Sequence, residues 1–435
     1  MVKLLRHGLK EAITKIQGAI LVVIIIAAVV GVITYYTLPP PEVREIKIGF
    51  IGNLASPYSL SAKAAAQLAV EEINEAGGIL GKRVTLIIED SKGEKPKLVE
   101  VYKKLVMMDR VLAVIVAESV EMGVAAIQTG AELYPEYPHI FICTIGSGDA
   151  IWHHVRDNYE KYKFAFQTYY FTSSGYLTVL AKTLLPHIFK GIMNATKVAE
   201  IYEDMAWTIP LREGISGVSP PKKQVYEEQG LTVVFQAVVS VDQKMFTTLF
   251  EQIAASGAEV IDCAIGYIDE VAFIKQWAES PARNIPLYIW GGIAGMPAAW
   301  NATEGKVLGV CVGSSLVRAP ITQKTIPFMD NLVQKYGVGP IFGSHTTYDS
   351  IYGLKKAIEM AGSASDVEAI ISAMEKVREV AVLGTIGWDP RYHYNLPYPH
   401  YITPTIQWQK GGEMVVIWPE NVAMGKYIPP ALLRG

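Results

Sequence analysis

The sequence has few cysteines and no concentration of basic residues, and each shortage excludes a class of function. Only Cys143, Cys263 and Cys311 occur among 435 residues. An odd number at such wide spacing forms neither a disulfide framework nor a metal motif. Because each lies in or beside an apolar run, we expect buried small side chains, and a disulfide between two of them stays open. The formal net charge is −3, without a basic run beyond the first residues, so nucleic acid is not an expected partner.

The signatures of common enzymes are missing as well. The sequence contains no GxSxG elbow, no HExxH and no CxxC. Gly77–Lys82 has the glycines and lysine of a phosphate loop, but the spacing is wrong and Arg83 replaces the Ser or Thr. Asp149, His153 and Asp157 stand four apart, for which a solvated helix face is a simpler explanation than a metal site. We therefore expect no catalytic residue, no metal site and no cofactor.

An uncharged segment near the N-terminus, Gly18–Leu38, is long enough to cross a bilayer as a helix, which needs about 20 residues. A secretory h-region is shorter, about 7–15 residues. Basic residues precede the segment, which places the N-terminus in the cytoplasm, and Pro39–Pro41 ends the helix. We predict a retained, single-pass signal-anchor with the rest of the chain outside the cell, although cleavage of the segment stays open. No cysteine precedes Cys143, so a lipoprotein anchor is excluded.

After the anchor, apolar strand-like runs alternate with helical patterns in two series. Half of the residues are hydrophobic and 19% are charged, so two packed domains of ordinary size are expected. Alternating strands and helices predict parallel sheets covered on both faces, and two such sheets imply a cleft. The first series of strands is Ile46–Ile51, Val84–Glu89, Val111–Val116 and Ile140–Thr144, and the second is Val198–Tyr202, Thr232–Ser240, Val260–Ile265 and Pro286–Trp290.

The last third of the chain should return to the first domain and then leave it. Val307–Ser314 is expected to belong to the first domain, followed by helices at Pro327–Tyr336, Thr346–Ala361 and Asp366–Val377. Thr405–Gln409 and Met414–Trp418, separated by Gly411-Gly412, predict a terminal hairpin.

Several motifs resemble those of one known family. Ile46–Lys97 combines a strand ending at Gly52, the loop Ala55–Tyr58, an alanine-rich helix, and Glu72–Gly78 followed by Gly81-Lys82. This stretch resembles the opening of type I periplasmic binding proteins of the branched-chain amino-acid (leucine/isoleucine/valine-binding) class. Looser similarity continues to about Pro419. Further similar segments are Lys197–Trp207, Ala255–Glu279 and Tyr348-Asp349.

The resemblance implies an α/β fold of two doubly wound parallel-sheet lobes joined by a multi-strand hinge, here preceded by one transmembrane helix. It also implies capture of a solute between closing lobes, without catalysis. The predicted organisation is cytoplasmic N-terminus 1–17, anchor 18–38, proline-rich stalk 39–45, first lobe 46–168, second lobe 169–304, return to the first lobe 305–398, and second-lobe strands with the C-terminal tail 399–435.

The resemblance also implies ligand contacts at two loops that follow strands of the first lobe. Ser119 matches a residue that hydrogen-bonds a ligand carboxylate, and Ile145, Gly146 and Ser147 match a loop that completes the same site. Such loops lie at the carboxyl ends of parallel strands, where α/β sheets bind ligands, and N–H groups there favour anions.

Two aromatic residues of the second lobe complete the predicted site, and at one further position the sequence departs from the family. Trp207 and Tyr267 match aromatic residues that close over the ligand. The family's amino-acid binders carry an acid after the strand that matches Pro286–Trp290, whereas this sequence has Gly291-Gly292. A buried ammonium without a carboxylate is costly, so either Asp269 or Glu270 substitutes or the ligand is not a free amino acid.

The expected function is the binding component of an ABC importer for a branched-chain amino acid or a related amide or carboxylate. The expected partners are the solute, the ABC permease and ATPase subunits, and the membrane that holds the N-terminal helix. A ligand-sensing receptor domain of the same fold, without transport, is the alternative. A cytoplasmic segment shorter than twenty residues argues against direct signalling.

Overall fold

The computed structural model describes residues 45–146, 149, 152–169, 172–290, 292–313, 317–341, 343–396 and 399–434. The predicted membrane segment Gly18–Leu38 lies outside these residues. Within the described ranges, no helix is both long enough and apolar enough to cross a membrane.

The first lobe is built on a five-stranded sheet in which every pair of neighbouring strands is parallel, in the order β2-β1-β3-β4-β5. Helices cover both faces of the central strands β3 and β4, which are continuous apolar runs for that reason, and every residue of these two strands is buried. The strands are β1 (Glu45–Gly52), β2 (Arg83–Asp90), β3 (Ala113–Ala117), β4 (Ile140–Cys143) and β5 (Ala165–Gln167).

The second lobe contains a seven-stranded sheet in the order β14-β13-β10-β9-β8-β6-β7. Strands β6 to β10 pair in parallel, and the last two strands form an antiparallel hairpin at one edge. Separate hydrophobic clusters pack on its two faces. The strands are β6 (Lys197–Glu203), β7 (Thr232–Val239), β8 (Val260–Ala264), β9 (Leu287–Trp290), β10 (Cys311–Gly313), β13 (Thr405–Gln409) and β14 (Glu413–Trp418). A small hairpin of β11 (Glu379–Ala381) and β12 (Gly384–Ile386) stands apart.

The helices of the first lobe come from two separate parts of the chain. The later helices pack on the early ones: Tyr352 and Asn331 both donate hydrogen bonds to the Glu72 carboxylate, at 2.9 and 3.2 Å. The helices are α1 (Pro57–Glu75), α2 (Lys95–Lys103, continued by a π-helical turn Lys104–Met108), α3 (Val120–Leu133), α4 (Trp152–Asp157) and α5 (Tyr159–Tyr162), with α12 (Thr325–Tyr336), α13 (Ser344–Ala361) and α14 (Val367–Met374) from the later part.

The helices of the second lobe flank its larger sheet. Pro220-Pro221 lies between two helices, of which one ends at Glu213 and the next begins at Lys222. The buried Lys222 ammonium lies 2.6 Å from the Asp262 carboxylate. The helices are α6 (Ser173–Gly175, continued by π-helical Tyr176–Leu184 and, after a break, His187–Ile192), α7 (Ile209–Glu213), α8 (Lys222–Glu228), α9 (Thr247–Ala255), α10 (Glu270–Glu279), α11 (Ala298–Ala302) and α15 (Pro430–Arg434), with 3-10 turns at Ala206–Thr208, Pro281–Asn284, Ile293–Gly295 and Glu420–Val422.

The predicted α/β class with two parallel sheets is confirmed, whereas one placement is wrong. The sequence pattern assigns Val307–Ser314 to the first lobe, but its strand β10 pairs with β9 and β13 in the second. The chain therefore leaves the larger sheet only after Gly313, rather than near residue 305. The three cysteines are free and buried, in agreement with the expectation of small core side chains.

Candidate functional site

The carboxyl ends of the parallel strands of the two lobes face each other across a cleft. Tyr58, at the start of α1 in the first lobe, reaches the loop that follows β9 in the second lobe. A Cβ atom placed on Gly292 would lie 2.7 Å from the Tyr58 hydroxyl and 3.5 Å from the Glu270 carboxylate. The two lobes therefore meet at Gly292, and a glycine at this position leaves room for a side chain from each lobe.

Glu203 ends β6 and fixes two loops of the second lobe at once. One oxygen of its buried carboxylate, Oε2, accepts hydrogen bonds from the backbone N–H groups of Gly266, Tyr267 and Ile268, at 2.9, 2.7 and 3.3 Å. The other oxygen, Oε1, accepts the indole N–H of Trp207 at 2.6 Å. The two aromatic residues predicted to close over the ligand, Trp207 and Tyr267, are thus brought together by a single carboxylate.

Glu270 is a second buried carboxylate in the same wall of the cleft. It is the first residue of α10, and its oxygens accept the N–H groups of Gly292 at 2.8 Å and Ala294 at 3.0 Å. Burial, opposed by these N–H groups and reinforced by the charge of Glu203, raises the pKa of Glu270 to about 7. No cation is among the main contributions to this pKa, and within the described part of the chain neither the Glu203 nor the Glu270 carboxylate forms an ion pair at 4 Å or less.

Two tyrosine hydroxyls face these carboxylates. Burial first, and then the charges of Glu270, Tyr267 and Glu203, raise the pKa of Tyr58 to about 12. The Tyr267 side chain is 58% exposed. Desolvation, followed by the charges of Glu203 and Glu121, raises the pKa of Tyr267. Because Glu121 belongs to α3, Tyr267 lies opposite the beginning of that helix in the first lobe.

In the first lobe, Ser119 occupies the position before α3. Its backbone is extended, and its side chain makes no capping hydrogen bond to the helix. The half-buried Ser119 therefore stands next to the N–H groups of the first turn of a fourteen-residue helix, which favour an anion. Glu118, just before it, is buried and accepts the Ser91 hydroxyl, and burial raises the pKa of Glu118. The ligand contact of Ser119 stays a prediction.

The loop after β4 is only partly arranged as expected. Gly146 lies beside the start of α3, because a Cβ atom on it would be 3.3 Å from the Val120 Cα. However, the N–H groups of Ile145 and Gly146 lie near the Cys143 sulfur. Burial raises the pKa of the Cys143 thiol to about 11, and these N–H groups offset the rise only in part. The Gly146 carbonyl accepts the Gln167 amide. Ser147 lies outside the described residues. The expected role of the Ile145 and Gly146 N–H groups thus competes with an internal contact.

Asp149 proves to be structural rather than part of a solvated face. It is buried and accepts the Ser174 N–H and hydroxyl at 3.0 and 2.7 Å, together with the Trp152 indole N–H at 2.7 Å. The carboxylate links the first lobe to the start of α6 in the second. The expectation that Asp149 faces solvent is wrong, because Ser174, which is distant in the sequence, donates hydrogen bonds to its carboxylate and covers it.

Sequence reasoning missed Glu203 and left Glu270 as one of two alternatives. The pair Glu203-Asp204 gave no signal, since acidic pairs at loop starts are common. Asp269, the other alternative, caps its own helix by accepting the Ala272 N–H at 3.0 Å, and its carboxylate lies 3.8 Å from the Lys244 ammonium. The structure therefore places Glu270, and not Asp269, beside Gly292.

Two doubly wound α/β lobes with opposed strand ends define a type I periplasmic binding fold, and comparison with known sequences agrees. The profile of the family described as Periplasmic binding protein matches residues 45–402. The chain therefore belongs to the periplasmic binding protein family.

Individual relatives are distant but similar over nearly their whole length. A protein of Brucella melitensis named "Leu/Ile/Val-binding protein homolog 8" is 22% identical over 413 residues, which cover 93% of this chain and 98% of the relative. A structure from Silicibacter pomeroyi, described as a "putative branched-chain amino acid ABC transporter", superposes with a TM-score of 0.76 at 18% identity, covering 89% and 99% of the two chains. The substrate-binding protein LivJ of Streptococcus pneumoniae, in complex with isoleucine, gives 0.62 at 19% identity, covering 85% and 97%. The family inferred from the motifs is thus confirmed.

Proposed function

We propose that this protein is the extracellular solute-binding component of an ABC importer, which captures a small solute by closing its two lobes. Family membership supports capture of a solute, and the names of the distant relatives favour branched-chain amino acids or related compounds. The observation that carries the proposal is the meeting of Tyr58 with Gly292 across a cleft that holds two buried carboxylates. Buried polar groups of this kind at opposed strand ends are typical of a ligand site.

Contacts on both walls of the cleft follow from this proposal. Ser119 and the first turn of α3 bind an anionic group of the solute; the resemblance to the family adds the Ser147 hydroxyl, which lies outside the described residues. Trp207 and Tyr267 cover the apolar part from the second lobe, held in place by Glu203. In this proposal each of these groups binds or orients the solute.

Anchorage by Gly18–Leu38 is part of the proposal and rests on the sequence. A single apolar helix with basic residues on its cytoplasmic side would keep the binding domain at the outer surface. In that position it could deliver solute to a permease in the same membrane, powered by an ATPase subunit on the inside.

A thermal-unfolding screen of the full chain in detergent tests the proposal. A solute that binds only the folded state raises stability as RT ln(1 + [L]/Kd), so a micromolar binder at millimolar concentration adds about 4 kcal/mol. We expect amino acids, or their amides or carboxylates, to raise the unfolding temperature, and sugars and nucleotides to leave it unchanged. A screen in which none of these small solutes shifts the transition would contradict the proposal.

A further inference from the structure

We propose that Asn194 carries an N-linked glycan on the outer surface of the second lobe, and that the other acceptor motif of the chain, at Asn301, stays unmodified. Asn194-Ala195-Thr196 and Asn301-Ala302-Thr303 both have the form Asn-X-Thr, which is the acceptor motif for N-glycosylation in exported domains. The proposal rests on the outward location in the proposed function, and it adds a covalent site that lies apart from the cleft.

The first motif lies in a tight turn at the surface. Asn194 is exposed and has a φ angle of +54°, in the left-handed region that asparagine adopts more readily than most residues. The turn joins the helical segment that ends at Ile192 to β6, which begins at Lys197. Within the described part of the chain, the Asn194 side-chain amide forms no hydrogen bond. The acceptor nitrogen is therefore open to solvent.

The threonine of the first motif is accessible as well. Thr196 is exposed, and its hydroxyl donates to the Glu259 carboxylate at 3.0 Å, which is also at the surface. A hydrogen bond between exposed groups is exchanged for hydrogen bonds to water at little net cost. Of the three residues of the motif only Ala195 is buried, and its side chain is a single methyl group. A transferring enzyme can therefore reach both the amide and the hydroxyl that define the motif.

The second motif belongs to a packed helix. Asn301 and Ala302 are the last residues of α11, and Thr303 is fully buried. The Thr303 hydroxyl donates to the Ala299 carbonyl at 2.7 Å and accepts the Val307 N–H at 3.1 Å. Presentation of this motif requires that the helix unwinds and that the buried Val307 N–H loses its partner, which is costly. Because Asn301 itself is exposed, the two motifs differ in their threonines rather than in their asparagines.

The position of Asn194 is compatible with solute binding. Two residues separate Asn194 from the first residue of β6, whereas Glu203, which shapes the cleft wall, ends the same strand. A strand rises about 3.3 Å per residue, so that the length of β6 keeps Asn194 about 20 Å from the cleft. A glycan at Asn194 therefore covers the outer surface of the second lobe and leaves the cleft open.

The modification is a group transfer without oxidation or reduction. The donor is an oligosaccharide linked through phosphate to a polyprenyl lipid, and an oligosaccharyltransferase at the outer membrane face catalyses the step. The Asn194 Nδ2 atom forms a bond to the anomeric carbon of the first sugar, while the bond between that carbon and the phosphate oxygen breaks. The lipid phosphate leaves with the electron pair of the broken bond, and the amide gives up one proton.

Peptide mass spectrometry tests the proposal on the full chain purified from the membranes of the cells that produce it. Trypsin cuts after Lys190 and Lys197, which places Asn194 in a peptide of residues 191–197, and Asn301 falls in a peptide of residues 284–306. We expect the first peptide mainly with an added oligosaccharide mass that fragmentation assigns to Asn194, and the second at its unmodified mass. An unmodified first peptide, or sugar on Asn301, overturns the proposal.

Conservative variants produced in the same cells make the assignment specific. Asn194→Asp keeps a residue type that tolerates a positive φ angle but removes the acceptor nitrogen. On a denaturing gel we expect Asn194→Asp to migrate faster than the wild type, because the glycan is lost. Thr196→Ser keeps the hydroxyl of the motif, and Asn301→Asp is the matched control, so both should migrate like the wild type. Equal migration of Asn194→Asp and the wild type overturns the proposal.

Protease treatment of intact cells distinguishes failure of this proposal from failure of the proposed function. If added protease digests the binding domain on intact cells and the peptide of residues 191–197 is still unmodified, the glycan proposal is wrong and extracellular solute capture stands. If the domain is digested only after the cells are lysed, the outward location is wrong, and the glycan proposal fails with it.

Discussion

At the scale of single residues, Glu203 fixes two loops of the cleft by hydrogen bonds, although no sequence motif indicated it. Its two oxygens are committed to different loops, Oε1 to the Trp207 indole and Oε2 to residues 266–268. A carboxylate that accepts hydrogen bonds only from N–H groups cannot be replaced by an amide without loss, because the amide nitrogen is a donor. Glu203 is therefore a positioning residue for both aromatic side chains.

Glu203→Gln should lower ligand affinity by disordering those side chains. Leaving buried N–H groups unpaired costs about 1–3 kcal/mol, so the unfolding temperature should also fall. Because the chain has eight tryptophans, the Trp207 contribution to the fluorescence change on ligand addition is the difference between the wild type and Trp207→Phe. In a double-mutant cycle with Trp207→Phe, the effects on affinity should be strongly non-additive if Glu203 acts through the indole. Additive effects would mean that Glu203 only supports the fold.

Trp207 itself should contribute directly to binding. Trp207→Ala removes a half-buried aromatic side chain at the edge of the second-lobe cluster, and loss of a buried aromatic contact weakens binding by about 2 kcal/mol or more. Affinity measured by calorimetry with the solute found in the screen checks this. Unchanged affinity would place the solute away from Trp207.

At the scale of elements, the close approach of α1 to the loop after β9 limits the size of the side chain that position 292 can carry. The backbone of Gly292 has φ −74° and ψ −79°, so its φ angle does not require glycine. Glycine is required here for a steric reason: a Cβ atom on Gly292 would lie 2.7 Å from the Tyr58 hydroxyl. The restriction is therefore imposed by the first lobe. A side chain here should oppose closure without disturbing the second lobe itself.

Gly292→Ala should therefore weaken ligand binding about tenfold or more, since overpacking typically costs about 1–3 kcal/mol, and should leave the unfolding temperature of the ligand-free protein nearly unchanged. Tyr58→Phe in the same chain removes the atom that the new methyl group meets and should restore part of the affinity. Gly339→Ala is a control, because a Cβ there has nothing within 4 Å. Equal affinity for Gly292→Ala and the wild type would contradict closure at this contact.

The sequence patterns predicted most elements, and their failures have a physical cause. Apolar runs located the strands β1 to β4 and β6 to β9, each of which has four to eight residues. Strand β5 has only three residues, too few for a pattern, whereas the equally short β10 lies within the predicted segment Val307–Ser314 but was assigned to the wrong lobe. The sheet to which β10 belongs is set by its pairing with Tyr288 on one side and Gln407 on the other, which is information that no local window contains.

The same limit applies to the candidate site. Strand ends indicated where the loops around Ser119 and Tyr267 would lie, since parallel strands place their carboxyl ends on one edge. The choice of Glu270 over Asp269 depends on which side chain meets the N–H groups of Gly292 and Ala294. That contact joins α10 to the loop after β9, and adjacent acids in a sequence give no sign of it.

At the scale of the whole molecule, the lobes are connected by chain segments after β5, after β10 and before β13. Buried acids are hydrogen-bonded at two of these connections. Asp149 holds Ser174 at the first. At the third, Asp349 of α13 accepts the Tyr401 hydroxyl at 3.0 Å and the Val382 N–H at 2.9 Å. If the lobes move relative to each other, the connecting segments must therefore bend while the buried hydrogen bonds of Asp149 and Asp349 are kept.

Asp349 should make the stability of the ligand-free protein depend on pH. Burial, opposed by the Val382 N–H, the Lys324 charge and the Tyr401 hydroxyl, raises the pKa of Asp349 to about 7, against about 3.9 for an unfolded chain. Between these values the folded protein keeps a proton that the unfolded chain has lost. Its contribution is thus fully present below about pH 4 and is lost as the pH rises to about 7, by at most about 1.4 kcal/mol per pH unit.

Asp349→Asn keeps an acceptor for the Val382 N–H and removes this titration. The free energy of unfolding of the variant, relative to the wild type, should increase as the pH is raised from about 4.5 to about 7.5 and then level off. Urea unfolding at fixed pH values measures the difference, in which the titration of Glu270 and other acids cancels because both proteins share it. Asp366→Asn is the control, since Asp366 is exposed and only caps α14 through the Ala369 N–H at 3.0 Å. Parallel profiles for Asp349→Asn and the wild type would mean that Asp349 is ionised in the folded protein. The connection before β13 would then carry a buried negative charge rather than a neutral acid.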